Sequence, residues 1–122
     1  MKANELRIGN WVRHEYIKDG NIEKQITAND ILQLSKHPEV EIYYQPIELT
    51  EDRLEKFGFR DGYNGRWIIS RDFENDAFIL DKQKDGYWKW IGNDEKLYQY
   101  VHQLQNLYFD LTGEELEMKE KK

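Results

Sequence analysis

The segment at residues 97–111, LYQYVHQLQNLYFDL, has the apolar spacing of a helix that lies against a core. Its apolar side chains recur at intervals of four, three, four and three residues, at Leu97, Val101, Leu104, Tyr108 and Leu111. One face of a helix repeats at this interval, so the pattern predicts an amphipathic helix. Thr112 and Gly113 predict its end, because glycine readily adopts the left-handed conformation of a C-terminal cap. This helix is a packing element, and nothing in it specifies a reaction.

The beginning of the chain predicts a hairpin. Trp11, Arg13 and Glu15 fall on one face of an alternating segment at residues 11–16, whereas Val12, His14 and Tyr16 fall on the other. A period of two residues is typical of a strand. The KDGN tetrapeptide at residues 18–21 supplies the residues that a tight turn requires, and alternation resumes at residue 22.

The remainder of the N-terminal part predicts a third strand. Asn29 is a possible N-cap of one short helical turn that ends near His37, because Pro38 disfavours helix in the residue before it. Residues 40–45 then predict a strand that ends at Pro46. This order of strands and short turns resembles a small SH3-like barrel, so we interpret residues 1–46 as an SH3-like β subdomain.

Residues 47–116 predict a second subdomain of helices and strands. Thr50 predicts the N-cap of a short helix, and Gly58 predicts its C-terminal cap. Three strands follow at residues 62–71, 77–83 and 87–92, joined by turns at residues 72–76 and 84–86. These short connections predict a three-stranded antiparallel meander, with the C-terminal amphipathic helix as its lid. The fold class is therefore α+β, and residues 117–122 are expected to form a disordered tail.

The tryptophans of the predicted meander have two interpretations. Trp67 has Arg66 and Arg71 near it in the sequence, and Trp88 and Trp90 flank Lys89, so these aromatic and cationic residues could form a surface on which nucleic-acid bases stack. The favoured interpretation is that they form the core under the last helix, because a sheet beneath a helix must bury large side chains on one face.

Composition excludes several classes of protein. The chain of 122 residues has no cysteine, which excludes disulfides, thiolate metal sites and thiol nucleophiles. No run approaches the roughly 18 apolar residues of a membrane span, and no signal-peptide core is present, so we expect a cytoplasmic protein without membrane contact. The net charge of −6 disfavours nucleic acid as a partner. Residues 1–27 carry a net charge of +1, so a nucleic-acid site is expected there if anywhere.

No group of residues in the sequence specifies catalysis or a cofactor. His14, His37 and His102 lack the spacing of a metal site, and the residues one helical turn after His102 are Gln105 and Asn106, which are poor zinc ligands. Paired acids occur at predicted helix ends, where helix electrostatics explains them. We therefore expect no catalytic residue, no metal and no cofactor.

The candidate binding residues lie on two predicted surfaces. They are Trp11, Arg13 and Tyr16 on the N-terminal hairpin, and Tyr87 and Lys89 on the face of the third meander strand that is opposite Trp88 and Trp90.

Three segments carry a resemblance to a family. LRIGNWV at residues 6–12, PIELTEDRLEKFGF at residues 46–59 and YVHQLQNLYFDLTGEEL at residues 100–116 resemble small uncharacterised proteins of phages, prophages and mobile elements of gut bacteria. The resemblance implies a genetic context and no chemistry. It favours a non-enzymatic binding or accessory protein that contacts an unknown protein partner, as a monomer or a small homo-oligomer. The alternatives are a nucleic-acid-binding module that uses the N-terminal β unit and exposed aromatics, and a small hydrolase or transferase.

Overall fold

The fold is of the α+β class. The computed structural model describes residues 1, 3–16, 20–62, 65–70, 77–91 and 96–117. Its strands and helices are, in chain order, β1 Trp11–Tyr16, β2 Gly20–Gln25, α1 Ala28–Lys36, β3 Tyr44–Gln45, α2 Glu51–Lys56, β4 Arg60–Asp61, β5 Arg66–Ser70, β6 Ala77–Lys82, β7 Trp88–Trp90, β8 Leu97–Tyr98 and α3 Val101–Thr112. Short 3-10 helices lie at Ala3–Glu5, Pro38–Tyr43 and Lys84–Gly86.

The chain divides into two compact units. The first comprises Met1–Ile47 and Tyr100–Gly113, and the second comprises Glu48–Gln99 and the residues that follow Gly113. The predicted division placed residues 100–113 in the second subdomain, whereas the structure groups them with the first unit. The reason lies in polar side chains of α3, which bond to the segment that precedes β1.

The first unit contains a three-stranded antiparallel sheet in the order β2-β1-β3. β1 and β2 pair from Trp11 opposite Gln25 to Tyr16 opposite Gly20, which confirms the predicted hairpin. Residues 18 and 19 of its predicted turn lie outside the described residues. The buried apolar side chains of this core are Leu6, Val12, Ile26, Leu34 and Tyr44.

Two local predictions in the first unit are wrong. Helix α1 is nine residues long, and its N-cap is Thr27 in place of Asn29. The Thr27 hydroxyl accepts from the Asp30 backbone N–H at 3.2 Å, while the Asp30 carboxylate accepts from the Thr27 N–H at 2.9 Å, which forms a capping box. The predicted strand at residues 40–45 is mostly a 3-10 helix, and only Tyr44–Gln45 pair with β1.

The second unit begins with the predicted helix α2. The Thr50 hydroxyl accepts from the Arg53 N–H at 3.3 Å, and Gly58 follows the helix with a φ of 96°, so both predicted caps are confirmed. Leu54 and Phe57 are buried, as their spacing of one helical turn predicts.

The sheet of the second unit has five strands, two more than predicted. Its order is β4-β5-β6-β7-β8, and every neighbouring pair is antiparallel. The two extra strands, Arg60–Asp61 and Leu97–Tyr98, contain two residues each, which is too short for a sequence pattern to show. Lys84–Gly86 form the predicted turn between β6 and β7, whereas the predicted turn at residues 72–76 lies outside the described residues.

One face of this sheet forms an aromatic core. Trp67 and Trp88 are buried, which confirms the interpretation of these two residues as core, and Trp90 is half-buried. The Trp88 indole N–H donates to the Leu49 carbonyl at 2.8 Å. Phe78 stacks on Trp90 with ring centroids 5.9 Å apart.

Helix α3 begins four residues later than predicted, because Leu97–Tyr98 pair with β7 as a strand. Its end is confirmed: Gly113 has a φ of 75°, and its N–H donates to the Phe109 carbonyl at 2.8 Å. Val101, Leu104 and Tyr108 are buried, whereas Leu111 is exposed. The predicted role of this helix as a lid on the aromatic sheet stays a prediction.

Candidate interaction surfaces

The N-terminal candidates lie on β1. Trp11 and Arg13 are half-buried and share one face, opposite Gln25 and Glu23 of β2. Tyr16 is the last residue of β1, and its side chain lies outside the described part of the structure. The structure therefore brings two of the three candidates, Trp11 and Arg13, to one face of β1.

The candidates of the second unit belong to a larger surface. Lys89 lies on the face of β7 opposite the buried Trp88, and Tyr87 precedes that strand by one residue at the same parity. Both side chains are half-buried. Side chains of directly paired residues share a face, so the strand registers identify the other members of this surface.

We call this surface the isoleucine face. It comprises Arg60, Arg66, Ile68, Ile79, Asp81, Tyr87, Lys89, Ile91 and Leu97. The registers arrange most of them in two rows across the strands. The first row runs Arg66, Asp81, Lys89, Leu97, and the second runs Arg60, Ile68, Ile79. The backbone N–H of Ile91 donates to the Ile79 carbonyl at 3.3 Å, which extends the second row onto the end of β7.

The isoleucine face carries exposed and half-buried apolar side chains. Ile91 is 44% exposed and Leu97 is 46% exposed, while Ile68 and Ile79 are half-buried. Gly62 contributes to this arrangement, because a Cβ atom on it would lie 2.9 Å from the Ile68 Cδ1 atom. The side chain of Ile68 therefore rests directly on the main chain that follows β4.

Charged side chains of both signs accompany the isoleucines. The Arg66 Nε atom lies 3.1 Å from the Asp81 Oδ1 atom across the strand pair. Lys89 is opposite Asp81 on the other side, and Arg60 is opposite Ile68. With three cations and one anion, this face carries a net charge of +2.

The first unit contains a polar cluster that the sequence did not predict. We call it the polar junction and define it as Arg7, Asn10, Gln105 and Asn106. The Asn106 Oδ1 atom accepts from Arg7 Nε and from Asn10 Nδ2, both at 2.9 Å. Asn10 and Gln105 are at most 1% exposed. The only signal in the sequence is the position of Gln105 beside the apolar stripe of α3.

The hydrogen bonds of Gln105 fix the entry into β1. Its Oε1 atom accepts from the Trp11 N–H at 2.8 Å, and its Nε2 atom donates to the Gly9 carbonyl at 3.1 Å. Its polar atoms thus have partners inside the protein, which is the usual condition for a buried amide. The polar junction therefore stabilises the fold by linking α3 to residues 7–11.

Asp30 is the centre of a second polar cluster in the first unit. Its carboxylate accepts from the Tyr44 hydroxyl at 2.8 Å and from Lys24 Nζ at 3.0 Å. Burial by itself raises the pKa of Asp30, but the hydrogen bonds from Lys24, Thr27 and Tyr44 outweigh it and lower the pKa below its ordinary value. Each of these contacts stabilises the fold around α1.

The histidines do not converge. His102 is buried and stacks on Tyr100 with ring centroids 5.9 Å apart, and burial lowers its pKa, with Glu5 opposing the shift. His14 makes an edge contact with the Tyr44 ring, and burial lowers its pKa as well. Among the described residues, no three His, Asp or Glu side chains are grouped as a metal ion would require.

Comparison of the chain with protein-family models, curated proteins and solved structures yields no match.

In the described ranges, none of the helices has the length and apolar character needed to cross a bilayer. The isoleucine face, which includes the predicted Tyr87 and Lys89, is the candidate site that the geometry favours, because exposed apolar side chains lie beside cations there.

Proposed function

We propose that the protein is a non-enzymatic binding or accessory protein of a phage or mobile element and acts in the cytoplasm through protein contacts. The observation that carries this proposal is the isoleucine face, where the exposed Ile91 and Leu97 lie beside cationic side chains on a sheet. Apolar area rimmed by polar groups is the usual composition of a protein interface. The absence of a catalytic motif from the sequence agrees with this class of function.

The proposed fold of the first unit is an SH3-like strand unit. Its support is a hairpin of two six-residue strands with a third strand, Tyr44–Gln45, on the free side of β1. Small barrels of this type commonly serve as binding modules, although a fold by itself assigns no function. Trp11 and Arg13 are the residues through which this unit would add a second contact.

A pull-down from the lysate of a gut bacterium tests the proposed function. The immobilised protein is compared with Ile91→Ser, which removes an exposed apolar side chain from the isoleucine face. Ile42→Ser is the matched control, because Ile42 is 67% exposed and belongs to the first unit. We expect a protein that is retained by the wild type and by Ile42→Ser, and that is lost with Ile91→Ser. Equal retention by all three, or retention by none, contradicts the proposal.

Nucleic-acid binding is the second candidate, and one observation favours it. Arg60, Arg66 and Lys89 lie on the same face as the half-buried Tyr87, which could stack on a base. A gel shift with a labelled single strand at low salt tests this candidate, because phosphate contacts are strongest there. A shift that disappears as the salt concentration rises supports nucleic-acid binding, and the absence of a shift at low salt excludes it.

A further inference from the structure

We infer that the isoleucine face binds a protein segment whose apolar side chains are flanked by carboxylates. This inference rests on the proposed function and adds the chemistry of the partner. It follows from three features of the second unit: the size of the apolar row, the sign of the charges beside it, and the position of Asp81.

The apolar row sets the size of the occupant. Ile68 and Ile79 are directly paired, and Ile91 continues the row on the third strand. Neighbouring strands are about 4.8 Å apart, so this row spans about 10 Å across three strands. A single helix is about 10 Å wide with its side chains, so one segment of a partner is sufficient to cover the row.

The charge of the face is opposite to that of the unit that carries it. The second unit contains twelve Lys and Arg and sixteen Asp and Glu in its sequence, a net charge of −4. The isoleucine face carries +2, so its cations are concentrated where the apolar side chains are. Opposite charges across an interface accelerate association and select the partner, which favours a segment with carboxylates beside its apolar residues.

The negative charge of Asp81 favours a protein segment over nucleic acid as the partner of this face. Its carboxylate lies between Arg66 and Lys89 in the charged row and forms an ion pair with Arg66. A phosphate chain that followed this row would meet that negative charge at its centre. The three isoleucines of the apolar row offer no ring for base stacking, which leaves Tyr87 as the one ring among the described residues of this face, whereas isoleucines pack well against apolar side chains of a protein.

The experiment is a selection from a displayed random library of 16-residue peptides on the immobilised full-length protein. Enriched peptides are then synthesised and titrated against wild type, Lys89→Glu and Ile91→Ser. Lys36→Glu and Ile42→Ser are the matched controls, because both positions are exposed and belong to the first unit. A two-dimensional amide NMR spectrum establishes that every variant is folded and shows which residues the peptide contacts.

The expected result is enrichment of peptides that combine Leu, Ile or Phe with Asp or Glu. Binding should weaken about tenfold with Lys89→Glu and with Ile91→Ser, and should be unchanged in the two controls. A peptide whose acids are replaced by lysine should bind Lys89→Glu more tightly than it binds wild type. Tighter binding of the lysine peptide to Lys89→Glu depends on the charge of the isoleucine face. A general loss of stability would weaken binding of both peptides and would not produce this result.

Three results would overturn the inference. They are an enriched set without acidic residues, equal binding by Lys89→Glu and wild type, and the absence of any enriched peptide. If one of them occurs while Ile91→Ser still loses a protein in the pull-down, the proposed function stands and only the partner chemistry is wrong. If the pull-down also shows no dependence on Ile91, both proposals fail.

Discussion

The two units hold distant parts of their chain together by different forces. In the first unit, Gln105 and Asn106 of α3 bond to the segment that leads into β1 and to its first residue, at distances between 2.8 and 3.1 Å. In the second unit, the buried Trp88 fills the core beneath the sheet, and Phe78 stacks on Trp90.

Because of this difference, we expect substitutions in the two units to change the free energy of unfolding in different ways. A hydrogen bond requires a donor and an acceptor in defined positions, so a polar tie tolerates few replacements, and a buried group left without its partner costs about 1–3 kcal/mol. Apolar burial depends on area and volume, so an aromatic core tolerates a replacement of similar size better than a truncation.

Trp88→Ala should destabilise the second unit most. Trp88 is 2% exposed, and its truncation removes a large apolar side chain and leaves the Leu49 carbonyl without its donor. We expect a loss of about 3–5 kcal/mol in the free energy of unfolding, measured by urea denaturation. Trp88→Phe should lose about half as much, because it keeps most of the apolar volume. Equal losses for the two variants would contradict the dominance of apolar burial.

Gln105→Leu should show that the polar junction does not tolerate an apolar side chain of similar size. The Trp11 N–H loses its side-chain acceptor, while the Gly9 carbonyl loses one of its two side-chain donors and keeps Gln25 Nε2 at 3.2 Å. We therefore expect a loss of about 2 kcal/mol in the same measurement. Gln33→Leu, at an exposed position of α1, is the control and should change stability by less than about 0.5 kcal/mol. A neutral Gln105→Leu would show that the junction is held by packing.

Asp30→Asn should remove a stabilisation that depends on pH. The pKa of Asp30 is lower in the folded protein than its ordinary value of 3.8, so its contribution is fully present above that pH and is lost as the pH falls through the lower folded value. We expect Asp30→Asn to cost about 1.5 kcal/mol at pH 7, and the difference from wild type to shrink below pH 4. Denaturation at several pH values measures this, with Asp110→Asn as the exposed control. A difference that is the same at every pH would contradict the role of the ionised carboxylate.

Gly113→Ala should have the smallest effect of the four. Gly113 has a φ of 75°, and a residue with a Cβ atom is strained there by about 1 kcal/mol. Gly113→Asn should cost less, because asparagine adopts the left-handed conformation more readily. Thermal unfolding of the two variants checks this order. A reversed order would show that the cap is not what the substitution disturbs.

Local signals in the sequence were sufficient for several features. The caps at Thr50, Gly58 and Gly113 were predictable, because each depends on a few neighbouring residues. The face of Lys89 followed from alternation along one strand. The N-cap of α1 was missed although its signal is also local, because Thr27 and Asp30 have the three-residue spacing of a capping box. What the local pattern does not show is that Tyr44 and Lys24 also bond to the Asp30 carboxylate.

The candidate site was predictable only in part. Tyr87 and Lys89 could be assigned to the face opposite Trp88, but Ile68, Ile79 and their neighbours join that face through strand registers. Register depends on contacts between segments that are distant in sequence, and a shift of one residue would invert every face.

The sequence by itself determined the α+β class, the N-terminal hairpin, the helix caps and the apolar stripe of α3, because these depend on periodicity and on conformational preferences of neighbouring residues. Only the tertiary structure decided that Leu97–Tyr98 form a strand, that α3 belongs to the first unit and that Gln105 is buried. It also decided which side chains surround Lys89. The physical reason is that pairing and burial bring together residues far apart in the chain, and their partners override the local pattern.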